Sequence, residues 1–260
     1  MITSEIYYGS GIGNQIWHYV VTRLIAERNG YKYGIMGKDR WKGQAFMPID
    51  FGEPVVGGHG PEGGPPETLP EGITNYYKEH FLRHPVTNGN VGLPDPNLLN
   101  VPDGTKIEGT MQRMSYIEQH RLKICEWLSY SADMSFPQYT DQESCVIQFR
   151  GDYLTGNSAL PPSYYEKAMD NMRSITNNGN LKFYVCTDDP DNARRYIPDA
   201  EVIGSAVDDE KDPYQGSIGW YKYPGGPIGI DYSILNQAEN VILSSSTFGF
   251  WPVWTNTNAE

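Results

Sequence analysis

The sequence predicts an α/β protein built on parallel sheets, and three observations carry that expectation. In both halves of the chain, short runs rich in apolar and β-branched residues alternate with longer stretches whose apolar positions recur at helical spacing. The chain opens on a strand, a glycine loop, a helix and a second strand. The stretch VIQFRGDY, Val146–Tyr153, begins as a buried strand and breaks at Gly151 between a cation, Arg150, and an anion, Asp152. In an open α/β sheet the carboxyl ends of strands are where ligands bind, and an arginine there can make bidentate bonds to a phosphate. The alternative reading of Arg150 and Asp152 is two neighbours on a surface loop.

The totals fit this class and exclude others. At 260 residues the chain can hold one large domain or two small ones. Nineteen tyrosines supply packing bulk, so the composition is not a disordered one, while 28 glycines and 19 prolines gather in the connections. With 20 basic and 32 acidic residues the formal charge is −12, which disfavours general attraction to nucleic acid or an anionic membrane. The three cysteines, Cys125, Cys145 and Cys186, are widely spaced and read as buried thiols rather than bridges or a metal site. The start MITSEIYYGSG has no basic region followed by an apolar one, and no stretch reaches the ~18 apolar residues of a membrane helix, so no signal peptide or transmembrane anchor and a cytoplasmic setting are expected.

In order, Ser4–Tyr8 reads as a strand, Gly9–Asn14 as a glycine loop and Gln15–Asn29 as a helix ended by Gly30. Tyr31–Met36 reads as the next strand and Gly37–Pro70 as irregular. The spacing predicts a short helix over Ile73–Phe81, a turn-rich Pro85–Pro102, a strand at Lys106–Gly109 and a helix from Met114 to Tyr130. The break at Ser131–Gln142 sets the expected boundary between domains 1–140 and 141–260. After the central strand come a helix over Pro162–Ser174, a strand over Leu181–Cys186, a helix from Pro190 and a strand at Glu201–Ile203. Ala206–Gly226 reads as a loop, Asp231–Glu239 as a helix and Asn240–Leu243 as a strand before a Ser/Thr-rich turn.

Three stretches besides VIQFRGDY can bear chemistry. In GSGIGNQ, Gly9–Gln15, glycines allow backbone N–H groups to approach an anion at a helix N-terminus. Its G-x-G-x-G spacing departs from the dinucleotide fingerprint, although Asp39 lies near where a ribose-binding acid would be. In FYVCTDD, Phe183–Asp189, a strand delivers Asp188 and Asp189, and a carboxylate there matches the paired N–H donors of guanine. Asp189–Pro190–Asp191 also matches a metal-binding Asp-x-Asp, but reads more readily as a helix start with an acid as cap and proline in the first turn. In NVILSSSTFGFWPVW, Asn240–Trp254, the hydroxyls of Ser244–Thr247 precede a helix or turn and suit phosphate oxygens.

In this order the stretches resemble the α-1,2-fucosyltransferase family. GSGIGNQIWHYVVTRLIAERNGYKY is similar to its opening Gly-Asn-Gln loop and helix, and KIEGTMQRMSYIEQHRLKICEWL to its strand, Gln turn and helix, with Gly109, Gln112 and Tyr116 in register. VIQFRGDY resembles the His-x-Arg-Arg-Gly-Asp-Tyr motif, FYVCTDD the Phe-Ser-Asp-Asp strand end, and DYSILNQAENVILSSSTFGFWPVW the closing helix, strand and aromatic turn opened by Asp231. One cation of the motif is missing: without a gap its histidine falls on Ile147 and its first arginine on Phe149, and with a one-residue deletion the histidine falls on Gln148. Gly249 and Pro252 interrupt the aromatic turn, where proline is expected to kink a helix, and the sequence stops soon after it, as in a compact or trimmed member.

The resemblance implies a GT-B-like architecture, two Rossmann-like α/β domains with parallel sheets facing a cleft, with the acceptor on the first and the nucleotide on the second. It implies an inverting transferase that moves fucose from GDP-fucose to a glycan hydroxyl, with no cofactor or metal. Arg150 and Ser245, Ser246 and Thr247 would hold the diphosphate, faced across the cleft by Gly11, Gly13, Asn14 and Gln15. Asp188 or Asp189 would recognise guanine, and Asp152 would orient Arg150 or serve as general base. Other readings are a GDP-sugar-binding or glycan-binding protein without catalysis, a metal-dependent transferase using Asp189 and Asp191, and an NAD oxidoreductase using Gly9–Gly13 and Asp39.

Overall fold

The computed structural model describes residues 1–44, 46–62, 64–80, 93–129, 135–151, 160–203 and 227–256. The chain separates into two compact units, Met1–Lys42 with Ile49–Ser129, and Gly43–Pro48 with Tyr130–Glu260. Each is built on a four-stranded sheet whose strand pairs are all parallel.

In the first unit β1 (Ile2–Glu5) leads into α1 (Ile12–Asn29), and β2 (Tyr33–Met36), β3 (Asn75–Lys78) and β4 (Thr105–Glu108) complete the sheet in the order β2-β1-β4-β3. The glycine loop is shorter than the sequence suggests. α1 already starts at Ile12 with Gly11 as N-cap, which places Gly13, Asn14 and Gln15 in its first turn. Gly30, at φ 70°, closes the helix by donating to the carbonyls of Ala26 and Glu27. Side chains alternate along β1, so Ser4 turns towards α1, where its hydroxyl accepts from Thr22, while Glu5 turns to the opposite face with Lys106 of β4. That face lies under the irregular segment carrying Gly58, His59 and Gly60.

Two expectations fail here. The short helix expected over Ile73–Phe81 does not form in its described residues, 73–80: Asn75–Lys78 is an edge strand in register with Thr105–Glu108. Its apolar residues have helical spacing, but pairing with β4 overrides that local preference. The expected helix from Met114 to Tyr130 is broken into α2 (Met114–Ile117), a 3₁₀ turn (Glu118–His120) and α3 (Arg121–Trp127).

In the second unit, after the short α4 (Pro137–Thr140), come β5 (Ser144–Phe149), α5 (Pro162–Ile175), β6 (Lys182–Thr187), α6 (Pro190–Tyr196), β7 (Glu201–Ile203), α7 (Pro227–Gln237), β8 (Val241–Ile242) and α8 (Thr247–Thr255). The sheet order is β7-β6-β5-β8. Cys145, Ile147 and Phe149 of β5 point into an apolar layer with Tyr165 and Met169 of α5 and Ala193 of α6. Val146 points the other way, to Ile234 and Leu235 of α7. A sheet buried on both faces explains why its central strand is almost wholly apolar. The excursion Gly43–Pro48 joins this unit through Phe46, whose ring lies 5.5 Å from that of Tyr232.

Pro252 does not stop the last helix, which runs on to Thr255; Trp251 beside it is fully buried, and the Pro252 carbonyl accepts from Asn236 of α7. The loop expected over 206–226 lies outside the described residues. None of the three cysteines forms a disulfide, and Cys145 and Cys186 are buried. Burial pushes the Cys145 thiol up to about 12 and the Cys186 thiol well above its ordinary value, with the charge of Asp231 adding to the latter.

Candidate functional site

Parallel sheets open a crevice where successive connections leave in opposite directions, at the carboxyl ends of the two strands concerned. In the second unit β5, β6 and β7 step one way across the sheet while β8 pairs on the other side of β5, so the switch lies between β5 and β8. The chain leaving β5 there is Arg150–Gly151, and the chain leaving β8 is Leu243–Thr247. The chain leaving β8 is tied back to β5 itself. The Ser244 hydroxyl donates to Gln148 Oε1, and a side chain at Gly249 would meet the same amide at 3.1 Å.

Ser246 is the N-cap of α8, its hydroxyl accepting from the Phe248 N–H at 3.2 Å. Thr247 is the first residue of that nine-residue helix, and Ser245 is exposed just before it. The helix start therefore presents backbone N–H groups at the switch point, where they favour an anion.

Arg150 is fixed from β6. Its Nη1 lies 2.8 Å from Asp188 Oδ2, and the Gly151 N–H donates to Asp188 Oδ1 at 2.8 Å. Asp189 takes the helix-start role: it caps α6 by accepting from the Asn192 N–H at 3.2 Å and side-chain amide at 2.6 Å. Asp191 pairs with Arg194 at 3.3 Å. Gly151 packs against Asp189 so closely that a Cβ would come within 2.1 Å of the aspartate Cβ. Phe149 sits in the apolar layer, 5.6 Å from the Tyr165 ring and 5.5 Å from that of Tyr196, so no cation can project from that position. Asp152 lies outside the described residues.

The corresponding switch in the first unit lies between β1 and β4. Tyr7, just past β1, donates to Glu108 at the end of β4, and Asn14 Oδ1 in the first turn of α1 accepts from Gln112 Nε2 at 3.1 Å. Gln15 is buried and tied to main chain: its Nε2 donates to Arg40 O at 2.9 Å and Ser10 O at 3.3 Å, and its Oε1 accepts from the Lys42 N–H at 3.0 Å. Gly11 is exposed at the helix start and Gly13 is buried within the first turn. Asp39 stands exposed in a 3₁₀ turn beyond β2.

Gly109 and Tyr116 surround Glu79. Gly109, at φ 153°, leaves room for the Glu79 side chain, which a Cβ would meet at 2.4 Å. Glu79 accepts from the Met111 N–H at 2.7 Å and the Tyr116 hydroxyl at 3.2 Å.

Sequence reasoning missed a buried ionic knot. Glu5 meets Lys106 at 2.8 Å, His59 at 2.8 Å, Arg40 at 3.2 Å and the Gly60 N–H at 3.2 Å, and Lys106 also donates to the Gly58 carbonyl at 2.8 Å. Burial alone would raise the Glu5 carboxyl, but Lys106, His59 and Gly60 outweigh it and hold it below its ordinary value. The available signal was a carboxylate inside an apolar strand, ITSEIYY, with no nearby partner in sequence. His18 is buried with Nδ1 unpartnered, its ring edge-on to Tyr7, and burial lowers it to about 4.

Among the described residues no group of three His, Cys, Asp or Glu side chains could hold a metal ion, and no helix is long and apolar enough to cross a membrane. No family model matches the sequence, and no curated protein is similar to it. Solved structures are similar. The fucosyltransferase NodZ from Bradyrhizobium matches with a TM-score of 0.53 at 15% identity, over 97% of this chain and 92% of that one. NodZ alpha-1,6-fucosyltransferase co-crystallized with GDP matches with a TM-score of 0.52 at 17% identity, over 97% of this chain and 91% of that one. At these identities the likeness is one of fold: two Rossmann-like α/β units with parallel sheets, of the GT-B type.

Proposed function

We propose that this protein is a glycosyltransferase that moves fucose from GDP-fucose to a glycan hydroxyl, with inversion at the anomeric carbon and without a required metal. The observation that carries the reading is that Arg150 and the capped start of α8 follow the carboxyl ends of the neighbouring strands β5 and β8, which flank the switch point of the second unit. A diphosphate leaving group needs a cation and oriented N–H donors where its charge grows, and those two elements supply them. The sequence resemblance and the shared fold with a fucosyltransferase crystallised with GDP support the donor.

In the reaction the acceptor oxygen forms a bond to the anomeric carbon as the bond from that carbon to the diphosphate oxygen breaks. The acceptor proton passes to a base, and GDP departs with the electron pair. Arg150, Ser245, Ser246 and Thr247 stabilise the departing diphosphate, and Asp152 is the candidate for taking the proton or for orienting Arg150. The first unit, with Gly11, Gly13 and the Asn14–Gln112 pair at its own switch point, is the candidate acceptor side, and Gln15 supports it by holding the Arg40–Lys42 backbone.

The test is GDP release from GDP-fucose by purified protein, with and without chelator, alongside GDP binding by calorimetry. Chelator-resistant release that falls at least a hundredfold in Arg150→Ala is the expected result. No binding of GDP overturns the reading. A second reading, a GDP-sugar-binding protein without turnover, is favoured by one observation, the apolar Phe149 where the motif has a cation. It predicts tight GDP binding with no release on any acceptor. Analysis of the glycan product separates the α-1,2 linkage suggested by the sequence resemblance from the alpha-1,6 linkage of the structural neighbour.

A further inference from the structure

We propose that the two carboxylates at the end of β6 build the phosphate side of the site instead of reading a base: Asp188 is the positioning residue for Arg150, and a nucleoside-diphosphate sugar is recognised chiefly through its diphosphate. The proposal rests on the glycosyltransferase reading above and replaces the guanine role expected for Asp188 or Asp189.

A carboxylate that reads guanine must turn its oxygens outward to the paired N–H donors of the base. Neither aspartate is arranged that way. Asp188 is only 7% exposed and directs one oxygen to the Gly151 N–H and the other to the Arg150 guanidinium, each at 2.8 Å. Asp189 directs both oxygens to Asn192, its own N–H donates to Thr187 Oγ1 at 2.9 Å, and its side chain packs on Gly151. Three of the four carboxylate oxygens therefore accept from a donor of this chain, and the fourth, Asp188 Oδ2, is buried against the Arg150 guanidinium as an ion pair.

The two contacts of Asp188 fall on consecutive residues, which makes them a brace. Holding the Gly151 N–H fixes the direction in which the chain leaves β5, and the ion pair at Nη1 sets where the charge of Arg150 lies. A cation whose place is set in advance lowers the ordering cost of engaging a phosphate. β5 lies between β6 and β8, so the contact from Asp188 draws the guanidinium to the β6 side of the end of β5, while α8 begins after β8 on the other side.

Asp188→Asn tests this cleanly. The amide oxygen can still accept from Gly151, but the amide nitrogen cannot accept from Arg150. Calorimetry compares GDP, IDP (which lacks the exocyclic amine of guanine) and ADP on the wild type, D188N, R150A and the double variant. The expected result is that D188N weakens all three nucleotides by the same factor, about tenfold, the scale of a lost charged hydrogen bond. The double variant then binds no more weakly than R150A alone, because Asp188 acts through Arg150. A D188N loss confined to GDP, or additive with R150A, overturns the proposal. The brace is also read without ligand: the Arg150 Nε–H resonance, assigned by its loss in R150K, moves in D188N, and an unmoved resonance overturns the brace whatever binds. Wild type that binds none of the three nucleotides overturns the glycosyltransferase reading and the diphosphate role with it, while the resonance still decides whether Asp188 holds Arg150.

Discussion

Glu5 and Gly151 show how single residues set the two switch points. Glu5 is a buried carboxylate with four donors, and its value lies in the ammonium it neutralises: Lys106 is completely buried. Glu5→Leu leaves that ammonium uncompensated and is expected to cost about 3–5 kcal/mol in urea unfolding. The double variant Glu5→Leu, Lys106→Met removes both charges and recovers most of the loss. Gly151 has a different reason for its identity, since any Cβ strikes Asp189. Gly151→Ala is expected to lower stability by about 1–3 kcal/mol, the scale of an overpacked site, and to disturb the Asp188 brace in the same step. Both losses are measurable as shifts of the urea midpoint at unchanged slope.

At the scale of the element, the start of α8 is where local chemistry meets the proposed site. Its cap is a serine hydroxyl accepting from Phe248, and its approach is fixed by the contact of Ser244 with Gln148 on β5. Ser246→Ala removes the cap and is expected to destabilise by about 0.5–2 kcal/mol. If the helix start also holds the diphosphate, GDP affinity in calorimetry falls together with the midpoint. The elements misread from sequence are instructive in the same way. Asn75–Lys78 is only partly buried and has tyrosines where a helix would also place them, and it becomes a strand because β4 offers it a ladder. The helix after Gln112 breaks into pieces although its apolar spacing continues, as the 3₁₀ turn at Glu118–His120 separates α2 from α3.

At the scale of the molecule, burial of titratable groups makes stability depend on pH with a definite sign. His18 takes up a proton near 4 in the fold instead of near 6.5, so its contribution is whole above pH 6.5 and is lost as pH falls towards 4. Complete loss of that contribution corresponds to roughly 3 kcal/mol. Glu5, held below 4.5, acts in the same direction at lower pH: its contribution is present above the ordinary carboxylate value and disappears as pH falls through its lowered one. Urea midpoints are therefore expected to be flat between pH 7 and about 8, to decline from 6.5 downwards, and to fall again at high pH, where the buried thiols ionise only on unfolding. His18→Phe should flatten the part between 6.5 and 4 and leave the steeper fall below it. A wild-type midpoint unchanged between pH 7 and 5 would contradict the burial argument for His18.

The sequence by itself determined the class of the fold, since apolar periodicity, glycine caps and strand-ending turns act between residues a few positions apart. It also marked Arg150, the serine turn before α8 and the helix-start reading of Asp189–Pro190–Asp191, because a cap and its helix are contiguous in the chain. Tertiary structure alone decided which groups meet. Glu5 and Lys106 are 101 positions apart, Gln148 and Ser244 are 96, and Gly151 and Asp188 are 37. These pairings follow from strand order and register, and strand order is settled by how whole sheets bury their faces, a property of no single segment.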